Sequence, residues 1–98
     1  MELRCCICNQ EFIGYGNNAE PVKKGICCNS CNVKFTVPSR ILLQKISSAN
    51  FEIIRTSKEL DRITQKLAEK NFEQVAQVSW MDVYKNPETE ENTVVCIL

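Results

Sequence analysis

The sequence predicts an α+β fold in two parts: a four-cysteine finger with a following helix over residues 1–46, and a small β-α-β-β unit over residues 47–98. Three observations predict it. Six of the seven cysteines fall in two knots, Cys5-Cys6-Ile7-Cys8 and Cys27-Cys28-Asn29-Ser30-Cys31. From Asn29 onward Val33, Val37, Ile41 and Leu42 recur near helical spacing. After residue 50 an apolar strand, a capped amphipathic helix and a β-branched run follow one another.

A chain of 98 residues buries only a modest fraction of its surface, so a staple that adds folding energy is expected. Twelve Lys and Arg balance twelve Asp and Glu, so the molecule as a whole carries no pull toward nucleic acid or acidic membranes. The halves differ mildly: Arg4, Lys23, Lys24, Lys34, Arg40 and Lys45 stand against Glu2, Glu11 and Glu20 in residues 1–45, and the remainder compensates. No segment approaches the ~18 apolar residues of a membrane span, and Met1-Glu2-Leu3-Arg4-Cys5 has no apolar signal core. A cytoplasmic location without membrane contact is therefore expected. Reducing conditions there keep thiols free, and clustered cysteines then read as metal ligands before disulfides.

The first element is a knuckle. A structural metal site takes four tetrahedral ligands, and each Cys-x2-Cys pair supplies two from a tight turn whose N–H groups point at the sulfurs. Cys5 and Cys8 form one such pair and Cys28 and Cys31 the other, with 19 residues between them. Cys6 and Cys27 fit that spacing less well and are read, with Cys96, as unligated. Asn9 and Asn32 each follow the second cysteine of a pair, where a sharp turn suits Asn. The chain has no histidine, so the expected cofactor is one structural zinc ion in an all-thiolate cage of Cys5, Cys8, Cys28 and Cys31; iron fits the same spacing. Four protein ligands leave no open position for an activated water, so the site reads as structural and the protein as non-enzymatic. A thioredoxin-like redox reading needs a single pair opening a helix within a βαβ unit, which two matched pairs do not give.

Between the knuckles Gly14, Gly16, Asn17, Asn18, Pro21 and Gly25 mark a looped hairpin. Its glycines lack the spacing of a phosphate cradle. A helix then starts at the second knuckle and runs to Ile46, with Pro38 kinking or interrupting it. Knuckle, hairpin and a helix that donates the last two ligands make a treble-clef-like finger, with a zinc ribbon as the alternative. Ser47-Ser48-Ala49-Asn50 reads as a linker. Residues 51–55 read as a strand, and Thr56 with Glu59 has capping-box spacing for a helix over 57–70 with Leu60, Ile63 and Leu67 inward. Residues 73–97 read as a hairpin, with Trp80 and Tyr84 on the sheet or in the core.

Cys5-x2-Cys8, Gly14-Tyr15-Gly16-Asn17-Asn18, Glu20-Pro21-Val22, Gly25-x-Cys27-Cys28-x2-Cys31-Asn32 and Val37-Pro38-x-Arg40-Ile41 together resemble a group of small uncharacterised proteins encoded by bacteriophages and prophages. The resemblance covers roughly the first 41 residues. Members of that group often carry Pro where this chain has Ala19. The resemblance implies a zinc-finger fold and a phage or bacterial setting, hence the host cytoplasm, and implies no activity.

Three functions compete. The leading one is an accessory protein whose zinc site folds the first half and whose surface binds another protein, such as a host factor. The alternative is a nucleic-acid-binding finger using Lys23, Lys24, Lys34 and Arg40, with Tyr15 and Phe35 for stacking. The second alternative is a thiol and metal redox sensor using Cys6 and Cys27 beside the ligands.

Overall fold

The computed structural model describes residues 2–98, and its elements lie in three layers: a cysteine-rich finger, a four-stranded sheet and one amphipathic helix. The finger opens with an antiparallel hairpin of β1 (Glu2–Arg4) and β2 (Glu11–Ile13), Leu3 opposite Phe12. The loop between them is the first knuckle. Asn9 closes it at φ 64, a left-handed conformation that Asn tolerates, and its N–H donates to the Cys5 carbonyl at 2.9 Å. A short antiparallel ladder then pairs β3 (Asn17–Asn18) with β4 (Ile26–Cys27).

From Cys28 the chain enters a helix in three pieces. α1 (Asn29–Cys31) passes into a π-helical turn, Asn32–Thr36, where the Val37 N–H reaches the Asn32 carbonyl, and then into α2 (Val37–Leu42). Pro38, expected to kink or interrupt the helix, is instead carried through it in the first turn of α2. A proline ring clashes with the carbonyl four residues back in regular α geometry, and one wide turn immediately before it relieves that clash. The helix stops at Leu42 instead of Ile46, and the Lys45 and Ile46 N–H groups both fall on the Leu42 carbonyl. Asn32 is also not a second sharp turn: at φ −59 it is helical, because the second knuckle flows directly into the helix.

The apolar spacing picked out the wrong face of this helix. Val33, Val37 and Ile41 are exposed, and only Leu42 of the predicted set packs against the core. The buried face is Cys31, Phe35, Thr36 and Ser39. Two of these are polar, so apolar periodicity does not find them. Their hydroxyls are matched to sulfur: Ser39 Oγ donates to Met81 Sδ at 3.3 Å, and Thr36 Oγ1 lies 3.6 Å from Cys27 Sγ.

In the second half β5 (Asn50–Ile54) leads into α3 (Ser57–Glu69), followed by β6 (Glu73–Val78), β7 (Met81–Lys85) and β8 (Asn92–Ile97). The sheet order is β5-β8-β7-β6, with β5 parallel to β8 and the other pairs antiparallel. The Thr56 side chain accepts from the Glu59 N–H at 3.2 Å, and the Glu59 carboxylate accepts from the Arg55 N–H at 3.0 Å, which fixes the start of α3. The predicted hairpin over 73–97 is a correction: it is three strands, giving β-α-β-β-β, because the chain doubles back at Ser79 (φ 55) and Trp80. β6 is an edge strand with side chains exposed on both faces, so it lacks the alternation that would have set it apart from β7. Trp80 consequently lies exposed at a turn, and Tyr84 packs on the α3 side.

Alternation is clean on β8. Val94 and Cys96 face the finger and join Ile7, Phe35, Met81 and Val83, whereas Val95 and Ile97 face α3 with Ile54, Leu60, Ile63 and Leu67. The finger and the sheet thus bury their apolar faces against one another in a single core. No helix among the described residues is long and apolar enough to cross a membrane.

Candidate metal centre

Cys5 follows β1, and its N–H donates to the Gln10 carbonyl at 2.9 Å, pinching the knuckle shut. Within it the N–H groups of Ile7 and Cys8 each point at Cys5 Sγ, at 3.4 Å. Cys28 sits at the helix N-cap in extended conformation (φ −72, ψ 168), and Cys31 lies one turn on. The Asn17 side-chain amide donates to Asn29 Oδ1 at 2.9 Å and so ties the hairpin to the first residue of that helix.

These two turns bring the sulfurs of Cys5, Cys8, Cys28 and Cys31 within 4.8 Å of one another, with Cys8 and Cys28 4.0 Å apart. A tetrahedron with Zn–S bonds of about 2.3 Å has its sulfurs about 3.8 Å apart, so a small contraction closes the cage. The four cysteines are positioned to coordinate one metal ion. Cys5 and Cys31 are buried and the other two half-buried, so the cluster is closed on its inner side by protein.

Burial pushes the Cys5 thiol up, but N–H groups of Cys8, Cys28 and Ile7 more than offset it and bring it down to about 7. Burial raises Cys8, with the Gln10 N–H pulling the other way, and burial together with the neighbouring thiols raises Cys31. Four thiolates at this spacing repel one another, and a divalent cation at the centre is what makes all four stable together. Soft sulfur donors, tetrahedral number and N–H···S support fit such an ion.

The remaining cysteines stand apart from the cluster. Cys6 is half-buried against Gly25, Cys27 is buried beside Thr36, and Cys96 is buried in the sheet. Burial pushes all three thiols up, Cys96 to about 12.

One residue of the centre escapes sequence reasoning. Arg55, between β5 and α3, donates from Nε and Nη2 to the Ile7 carbonyl at 3.1 and 2.8 Å, and from Nη2 to the Cys6 carbonyl at 3.4 Å. It holds the first knuckle from 48 residues away, and nothing local marks it beyond its place before the Thr56 cap.

Of the four cations named for nucleic acid, Lys23 and Lys24 are exposed. Arg40 is spent on the hairpin loop, donating to the carbonyls of Glu20 at 3.0 Å and Asn18 at 2.9 Å. Lys34 Nζ lies 5.1 Å from the centroid of the Trp80 ring, a cation–π pair. Tyr15 is exposed, but Phe35, expected to be free for stacking, is fully buried. Comparison of the chain with protein-family models, with curated proteins and with solved structures gives no match.

Proposed function

We propose that this is a small non-enzymatic accessory protein of a phage or prophage setting, working in the bacterial cytoplasm, in which one zinc ion on Cys5, Cys8, Cys28 and Cys31 stabilises a treble-clef-like finger whose surface binds another protein. The observation that carries it is the convergence of four sulfurs at a point where the second pair opens a helix, and that helix buries Phe35 and Ser39 while turning Val33, Val37 and Ile41 outward. Four protein ligands fill a tetrahedral ion, so the metal holds the shape and supplies no bound water for chemistry. The treble clef is favoured over the ribbon because helix, not strand, follows Cys31.

Nucleic-acid binding is disfavoured by the engagement of Arg40 and Lys34 within the protein and by the zero net charge. A redox role for Cys6 and Cys27 is disfavoured because burial raises both thiols and lowers their thiolate fraction. The test is metal analysis of the purified chain, expected at one zinc per molecule, together with affinity capture from a bacterial lysate. One captured protein that is lost with a Cys31→Ser variant supports the reading. Salt-dependent binding of DNA or RNA without a protein partner overturns it.

A further inference from the structure

The first helix is inverted relative to the usual amphipathic pattern. Its core-facing side contains a thiol and two hydroxyls, while Val33, Val37 and Ile41, four residues apart, are 68%, 41% and 52% exposed. Exposed apolar residues are ordinary one at a time, but a contiguous row of them open to water marks an interaction surface. Trp80 stands beside the same helix: it is 56% exposed, and Lys34, next in sequence to Val33, sits over its ring.

The charge along the stretch of chain that carries the row is one-sided. Over residues 18–46 the cations are Lys23, Lys24, Lys34, Arg40 and Lys45, and the one carboxylate is Glu20. Lys23, Lys24 and Lys45 are exposed, and the bonds of Arg40 to the Asn18 and Glu20 carbonyls bring the lysine-bearing loop beside the helix. A cover for this surface therefore has an apolar centre and an acidic rim.

We infer that the Val33, Val37 and Ile41 face, with Trp80 beside its helix, docks an acidic amphipathic helix of a partner protein. Helix-on-helix packing accounts for the four-residue spacing, since anchors at i, i+4 and i+8 form one ridge. The lysines of that stretch steer such a helix and reject a basic one. This rests on the protein-binding reading above and names the partner's chemistry.

Trp80 is the sole tryptophan of the chain, so its emission reads this surface directly. The full zinc-loaded protein is titrated with a synthetic amphipathic helical peptide lacking Trp and Tyr, its apolar stripe flanked by Glu, and with the same peptide flanked by Lys. The Glu peptide is expected to shift Trp80 emission to the blue and saturate, to bind about tenfold or more tighter than the Lys peptide, and to weaken with salt. Val37→Glu and Ile41→Glu are each expected to lower its affinity about tenfold or more, with metal content and circular dichroism unchanged because both positions are exposed. Equal binding of the two peptides, no saturable binding, or indifference to both substitutions overturns the inference. So does a wild-type dimer that Ile41→Glu makes monomeric, which assigns the face to a second copy, or salt-dependent binding of RNA or DNA that Ile41→Glu abolishes. If wild type and Ile41→Glu capture the same lysate protein equally, protein binding stands and this surface falls.

Discussion

Arg55→Ala removes the one side chain seen to bridge from the second half of the chain to the carbonyls of the first knuckle. Two short bonds to Ile7, at 2.8 and 3.1 Å, and a longer one to Cys6, at 3.4 Å, are lost. A charged hydrogen bond contributes about 1.5–3 kcal/mol net. Arg55 is exposed overall and water replaces part of what is lost, so the set is worth about 2 kcal/mol, not the sum of its members. Metal binding is coupled to ordering of the knuckle, so that free energy appears as weaker metal affinity, about 30-fold at 1.4 kcal/mol per decade. The assay is competition for zinc against a chromophoric chelator at fixed pH. Arg55→Lys is expected to recover only part of the loss, because an ammonium cannot reproduce the guanidinium fork on two carbonyls. Zinc affinity of Arg55→Ala within about twofold of wild type refutes the assignment of Arg55 as a positioning residue for the centre.

Three further outcomes follow from the core and its turns. Phe35→Ala is expected to destabilise by about 3–5 kcal/mol in urea unfolding, since the ring is fully buried where finger meets sheet; a loss under about 1 kcal/mol contradicts that placement. Gly16→Ala is expected to cost about 2–4 kcal/mol, because φ is 74 and a Cβ runs into Ile26 Cγ2 and comes 2.9 Å from Phe12 Cζ; thermal melts at matched zinc check it. Cys96, buried and pushed up to about 12, contributes stability that is intact below its unfolded value near 9 and is lost as pH rises toward 12. Alkaline melts should show a decline above pH ~9 that Cys96→Ala flattens. In the native protein at neutral pH Cys96 should resist iodoacetamide, and mass spectrometry should find it alkylated after unfolding.

The four-cysteine cluster, the capped α3 and the strand before it were legible because their signals are local. Pair spacing, a Thr at the cap with Glu three residues on, and Leu60, Ile63 and Leu67 on one face each fit within a few turns of chain. The errors share one cause. On the first helix the buried set is defined by partners in the sheet: Ser39 is inward because Met81 Sδ accepts its hydroxyl, and Thr36 because Cys27 lies beside it. A rule that looks for apolar residues therefore found Val33, Val37 and Ile41, the face turned away from the core. β6 failed similarly, since an edge strand exposed on both faces carries no alternation. Arg55 could not be found at all, because its acceptors are backbone carbonyls, which carry no side-chain signature in sequence.

The same long-range contacts decide how an ion held by the four cysteines would act on the whole chain. The finger-facing side of the sheet, Met81, Val83, Val94 and Cys96, is buried by residues that the knuckles and the first helix position, Ile7 and Phe35 among them. If the sulfurs separate, Ile7 moves with the first knuckle and Phe35 with the second, and the sheet face is opened to water on that side. A sheet covered by α3 alone keeps only the smaller cluster of Ile54, Leu67 and Val95 with its partly buried neighbours. Metal-binding free energy is therefore expected to support the second half as well as the first, and a chelator to melt both in one transition. Two separable transitions, with β-sheet signal surviving metal removal, would mean that the sheet stands on α3 alone and that Arg55 and Ser39 report proximity without coupling.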